Sequence, residues 1–168
     1  MLEYKIEYLG LKTGLHKWNF KVDNSFFANF EYSEYKQGNL NVDVVLDKQE
    51  RMLVFDFTIK GSIHTLCDRC LEELNIDING NKRLVFKFGD TYIEETDEII
   101  IIPEKKNFID ISSFILEFIT LMVPMRKVHP DDENGNSLCN PQVLEKLNKH
   151  ISEQNIDPRW EKLKDLLN

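Results

Sequence analysis

Between Leu40 and Ile59 the chain alternates apolar and polar residues twice. Leu40, Val42, Val44 and Leu46 form the first run, the polar stretch Asp47-Lys48-Gln49-Glu50 follows, and Leu53, Phe55, Phe57 and Ile59 form the second. A two-residue period puts successive side chains on opposite faces, so each run has one apolar face. Two such strands joined by a short polar turn pair as an antiparallel hairpin, and a sheet therefore stands at the centre of whatever this chain folds into.

The same period recurs on both sides of the hairpin. Leu2, Tyr4, Ile6 and Tyr8 alternate until Gly10 and Gly14 interrupt them, and Trp18, Phe20 and Val22 resume the pattern up to Asp23-Asn24. Ser25 to Ala28 reads equally as strand or as one turn of helix. Gly61 permits a kink, and Ile63 and Thr65 extend the chain towards Cys67. Leu74, Ile76 and Ile78 alternate next, Asn79-Gly80-Asn81 reads as a tight turn, and Leu84, Phe86 and Phe88 return from it as a second hairpin. Glu94, Glu95, Asp97 and Glu98 mark an exposed acidic loop, and Ile99 to Ile102 a last strand stopped by Pro103.

At Asp110 the period changes. Phe114, Ile115, Phe118, Leu121 and Met122 recur at three- and four-residue intervals behind Asp110 as a cap, and Pro124 ends that helix. Residues 128–141 are rich in turn formers, Pro141 opens a further short helix with Val143, Leu144 and Leu147 on one face, and another follows Asp157-Pro158 with Trp160, Leu163, Leu166 and Leu167. The expected fold is α+β: a mainly antiparallel sheet, barrel-like or sandwich-like, followed by one longer and two short C-terminal helices. Residues 1–168 are expected to form a single domain, β-rich over 1–103 and helical or looped over 109–168.

The formal net charge of −8 and a pI of about 5.0 make the surface repel phosphate. That argues against non-specific binding to bare nucleic acid and favours a basic protein as partner. Three cysteines are too few for a disulfide framework and suit a reducing compartment. The opening residues Met1-Leu2-Glu3-Tyr4-Lys5 lack the basic-then-apolar order of a signal peptide. No apolar run reaches the roughly 20 residues that span a bilayer, so the expectation is a cytoplasmic protein with no membrane association.

Two of the cysteines sit in Cys67-Asp68-Arg69-Cys70, a C-x-x-C turn between strands. Two thiolates on one tight turn can reach a single tetrahedral ion, with backbone N–H groups directed at sulfur. The natural completion is Cys139 with His129, giving a Cys3His set for one structural zinc; His64, three residues before Cys67, competes as fourth ligand. The alternative is a metal-free turn of reduced, partly buried cysteines shaped by Asp68 and Arg69. A thioredoxin-like redox role would need a helix N-terminus in a βαβ setting, which this stretch lacks. The chain carries no nucleophile elbow and no phosphate-cradling glycine loop. Basic residues cluster weakly at Lys82-Arg83 and at Arg126-Lys127, the latter beside His129; Asp68, Arg69, Arg126 and Lys127 are the candidate binding residues.

Taken in order, Cys67-Asp68-Arg69-Cys70-Leu71-Glu72, Lys87-Phe88-Gly89, Ile109-Asp110-Ile111-Ser112 at a helix start, the Pro124 to Cys139 loop and the closing Ile156-Asp157-Pro158-Arg159-Trp160 resemble the bacterial YceD family, the large ribosomal RNA subunit accumulation proteins. The resemblance implies a cytoplasmic factor in the synthesis, processing or stability of large-subunit ribosomal RNA, without established enzymatic activity. Many members carry a second cysteine cluster after the helix, of the form P-x-C…C-x-x-C; here His129 and the single Cys139 stand in that region. With an acidic surface, the implied contact is a ribosomal protein or assembly factor, and ribosomal RNA is affected indirectly. The alternatives are a metal-dependent hydrolase acting on RNA, which would need an open coordination position and a general base that the sequence does not place, although Asp68 and Asp131 lie in the right loops, and a module whose zinc only holds a loop in place.

Overall fold

The computed structural model describes residues 4–104 and 106–152, so the helix expected around Trp160 lies outside the described residues. The chain divides into two compact units, Met1–Thr65 with Glu73–Lys127, and Leu66–Glu72 with Val128–Asn168.

The strands in order are β1 (Lys5–Glu7), β2 (Gly14–Val22), β3 (Gln37–Lys48), β4 (Met52–Leu66), β5 (Glu73–Gly89), β6 (Ile93–Thr96), β7 (Ile99–Pro103) and β8 (Phe108–Asp110). The helices are α1 (Asn24–Ala28), α2 (Ser112–Met122) and α3 (Pro141–Ser152). Six strands make one open sheet in the order β2-β3-β4-β5-β7-β6, and β1 pairs with β8 in a separate two-stranded ribbon. The fold is α+β and the sheet mainly antiparallel, with β2 and β6 as its free edges. Among the described residues no helix is long and apolar enough to cross a membrane.

The hairpin read from the alternating runs is β3–β4, with Val42 opposite Ile59, Val44 opposite Phe57 and Leu46 opposite Phe55. All six side chains are buried. Their common face packs against α2, where Phe118 meets Phe57 edge-on at 5.2 Å between ring centroids and Phe114 meets Phe86 at 5.8 Å. The cap expected at Asp110 falls one residue later, on Ile111, which makes no side-chain cap bond; Asp110 ends β8, and its carboxylate accepts from the Ser112 backbone N–H at 3.0 Å just before the helix. Ser25 to Ala28 resolves as helix, with the Asp23 carboxylate capping α1 at the Ser25 N–H.

Two expectations need correcting. Asn79-Gly80-Asn81 is not a turn, because β5 runs unbroken from Glu73 to Gly89. The apolar residues before and after it, Leu74, Ile76, Ile78, Leu84, Phe86 and Phe88, share one parity, so a continuous strand keeps them all on the same face. Gly80 lies on that face, and a Cβ there would come within 2.9 Å of the Met122 side chain of α2. Its glycine admits the helix to the strand; it does not reverse the chain. The second correction concerns the acidic stretch, which is not all loop: Ile93–Thr96 is an edge strand whose four residues are all exposed, with Glu95 ion-paired to Lys87 at 2.9 Å. Its partner β7 lies parallel to β5, a pairing that alternation by itself does not reveal.

At Gly61 the expected kink is a close approach of two backbones. The residue has φ of +148° opposite Leu40, and a Cβ would stand 2.2 Å from the Asn39 carbonyl oxygen. Gly61→Ala must therefore push β3 and β4 apart, and is expected to cost about 3 kcal/mol or more, lowering the melting temperature by roughly 10 °C in a calorimetric scan.

Candidate metal centre

The turn between β4 and β5 holds Cys67 and Cys70. Only six residues separate the two strands, too few for a parallel crossover, so the strands are antiparallel neighbours. The Cys67 N–H donates to the Glu72 carbonyl at 2.8 Å and the Leu71 N–H to the Cys67 carbonyl at 2.9 Å, which folds the segment into a tight knuckle. Leu71 closes it with φ of 61°, the one positive φ at a non-glycine position among the described residues. Inside the knuckle the Arg69 N–H points at Cys67 Sγ, 3.4 Å away.

The other half comes from a small tongue. Asp132 accepts through Oδ1 from the N–H groups of Asn134 at 2.9 Å and Asn136 at 2.7 Å, and Gly135 turns the chain with φ of 82°. Hydrogen bonds from Asn136, first among them its backbone N–H, hold the Asp132 carboxyl below the usual carboxylate range. An antiparallel bridge between Asp131 and Ser137, and a bond from the Leu138 N–H to the Pro130 carbonyl at 3.1 Å, bring the two legs together. His129 and Cys139, ten residues apart, therefore meet at the base. Beyond Cys139, Asn140 caps α3 by accepting from the Gln142 N–H at 2.9 Å, and its amide donates to Glu72 at 2.6 Å.

Cys67, Cys70, His129 and Cys139 thus gather into one cluster that could hold a metal ion, with all four ligand atoms within 4.8 Å of one another. Cys67 Sγ stands 3.7 Å from Cys139 Sγ, and His129 Nδ1 stands 3.3 Å from Cys70 Sγ and 3.8 Å from Cys139 Sγ. Around a tetrahedral ion with metal–sulfur bonds of about 2.3 Å the sulfurs lie about 3.8 Å apart, so these separations fit one ion. The three cysteines are free thiols and all are buried. Among the described side chains of residues 66–72 and 128–150 they are also the only buried ones.

Burial pushes the Cys67 thiol up, but the backbone N–H groups of Cys70, Arg69 and His129, with the Cys70 side chain, outweigh it and bring the pKa from 9.0 to about 6. The site thus favours the thiolate that a metal requires.

The remaining candidate residues take other parts. His64 is not in the cluster; its Nδ1 bonds the Asn75 side chain at 2.6 Å and its Nε2 lies 3.6 Å from Glu73. Arg69 reaches inward, donating from Nη1 to Ser137 Oγ at 2.7 Å, and so ties the knuckle to the tongue. Asp68 and Arg126 are exposed. Lys127 is ion-paired with Glu34 and lies over the Tyr35 ring, 5.7 Å from its centroid. Sequence reasoning passed over Asp132 as the tongue's organiser, although its spacing from Asn134 and Asn136 carries the signal.

Residues 55–167 match the family described as large ribosomal RNA subunit accumulation protein YceD. The chain belongs to the YceD family. Within it, the chain is similar to an uncharacterized protein, YlbN, of Bacillus subtilis (strain 168), at 26% identity over 122 residues that cover 72% of this chain and 70% of that protein. No solved structure matches it. The YceD match spans both halves of the cluster.

In metal-free protein, thiolate absorbance should show one group titrating near pH 6, absent in Cys67→Ser. Because the folded pKa lies below the 9.0 of an ordinary thiol, the stabilisation from this group is complete above that value and is lost as pH falls through about 6. Chemical denaturation of the metal-free protein across that range should show stability rising with pH.

Proposed function

We propose that the protein is a non-catalytic, cytoplasmic factor for the accumulation of large-subunit ribosomal RNA, acting through a ribosomal protein or assembly factor, and that its Cys3His cluster holds one structural zinc. Family membership supports the process, and the acidic net charge of −8 supports a basic protein in place of bare RNA as the direct contact. The observation that carries the non-catalytic reading is the ligand count: Cys67, Cys70, His129 and Cys139 supply four nitrogen and sulfur donors to one point. Four such ligands complete the tetrahedral shell of a structural zinc, whereas a hydrolytic zinc keeps a position for water. The hydrolase alternative would need one of these side chains to withdraw.

When bound, zinc supplies a cross-link between the knuckle and the tongue, with binding free energy that is folding free energy, about 10 kcal/mol or more for such ligand sets. Atomic absorption on untagged protein is expected to find one zinc per chain. Cys67→Ser or Cys139→Ser should lose it, together with the structure of residues 128–152, while the β-sheet circular dichroism persists. Zinc-free wild-type protein of unchanged proteolytic resistance would contradict the site. For function, a strain lacking the protein should show a lowered ratio of large- to small-subunit ribosomal RNA, restored by the wild-type chain; an unchanged ratio would overturn the reading.

A further inference from the structure

Three exposed leucines share a relation to the cluster. Leu66, 54% exposed, precedes Cys67; Leu71, 72% exposed, follows Cys70; Leu138, 58% exposed, precedes Cys139. Each leucine is the chain neighbour of a cysteine that is buried, while the leucine itself is turned out to solvent. Since the ligand atoms lie within 4.8 Å of one another, all three leucines are chain neighbours of one compact centre.

Leu71 adds an independent observation. At φ of 61° its Cβ crowds the backbone, at a cost of about 1–2 kcal/mol that glycine would not incur. The side chain contributes little to packing, being mostly exposed. A bulky apolar residue kept in a strained, solvent-facing position points to a role outside the fold.

Charge indicates what would cover these leucines. In the described part of this unit Asp68, Glu72, Asp131, Asp132, Glu133 and Glu145 outnumber Arg69, Lys146 and Lys149, and Arg69 is directed to Ser137. Asp68, Asp131 and Glu133 are exposed. Such a surface repels phosphate and attracts lysine and arginine. The geometry points to a docking surface for a basic amphipathic segment of a protein, whose apolar side chains pack on Leu66, Leu71 and Leu138 while its cations face Asp68, Asp131 and Glu133. This rests on the reading of the chain as a protein-binding factor, and adds the surface and the chemistry of the partner.

The test titrates zinc-loaded full-length protein with a labelled amphipathic Leu/Lys helical peptide, a scrambled peptide of the same composition and a large-subunit ribosomal RNA fragment. The amphipathic peptide should bind best. The combined variant Leu66→Ser, Leu71→Gly, Leu138→Ser should weaken it about tenfold or more with zinc content retained. Leu15→Ser, at a residue 69% exposed in the other unit, should leave binding unchanged. Leu71→Gly by itself separates the roles: relief of strain keeps or raises the melting temperature, while loss of the side chain weakens the peptide. Equal binding by the combined variant, or RNA bound through the leucines in place of the peptide, would overturn the surface. If the combined variant restores ribosomal RNA in the deletion strain as well as the wild type does, the surface falls and the function stands. If the wild type itself restores nothing, the function falls, and the peptide titration still decides the surface.

Discussion

Among the described side chains of the smaller unit, the buried apolar groups are the sulfurs of three cysteines. Over residues 66–72 and 128–150 the unit buries Cys67, Cys70 and Cys139 and no aliphatic or aromatic side chain, whereas burial of such groups, at about 25 cal/mol per Å², is what offsets chain entropy in an ordinary domain. Hydrogen bonds to Asp132 and from Arg69 shape the knuckle and tongue, but each contributes only about 1 kcal/mol net. The convergence of four ligands on one point is therefore the interaction on which the geometry of this unit depends, and a metal ion is the agent that suits it.

The larger unit rests on a different basis. Its core of buried aliphatic and aromatic side chains lies on one face of the sheet, under α2. Two glycines set how closely the parts approach: Gly61 lets β4 lie against the β3 backbone, and Gly80 lets Met122 sit on β5. One chain thus contains a unit stabilised by apolar burial and a unit organised by ligands, with the chain passing between them after Thr65, after Glu72 and after Lys127.

The two-residue period made β3, β4 and much of β5 readable because one face of each is buried, so parity and packing agree. Around Asn79-Gly80-Asn81 local chemistry and parity conflicted; turn-forming residues suggested a reversal, and the unbroken even-numbered apolar series was the better guide. Parallel pairing of β5 with β7 left no local signal, since it is decided by which edge the Ile99 to Ile102 run reaches in space. The ligand set was legible through residue types and scarcity: with three cysteines in the chain, Cys139 was the natural partner for the knuckle. What spacing could not supply was the meeting of His129 and Cys139, which depends on the fold of the tongue around Asp132, or the inward reach of Arg69, which has the composition of a binding residue.

Cys70 and His129 are 59 residues apart in sequence, and the segment between them includes the whole of β5, β6, β7, β8 and α2. A metal held by both would close that segment into a ring. Closing a loop of this length costs an unfolded chain about 4 kcal/mol of entropy, so the four ligands gather readily only when that segment is folded. The ion's affinity would then depend on strands and a helix that contain none of its ligands.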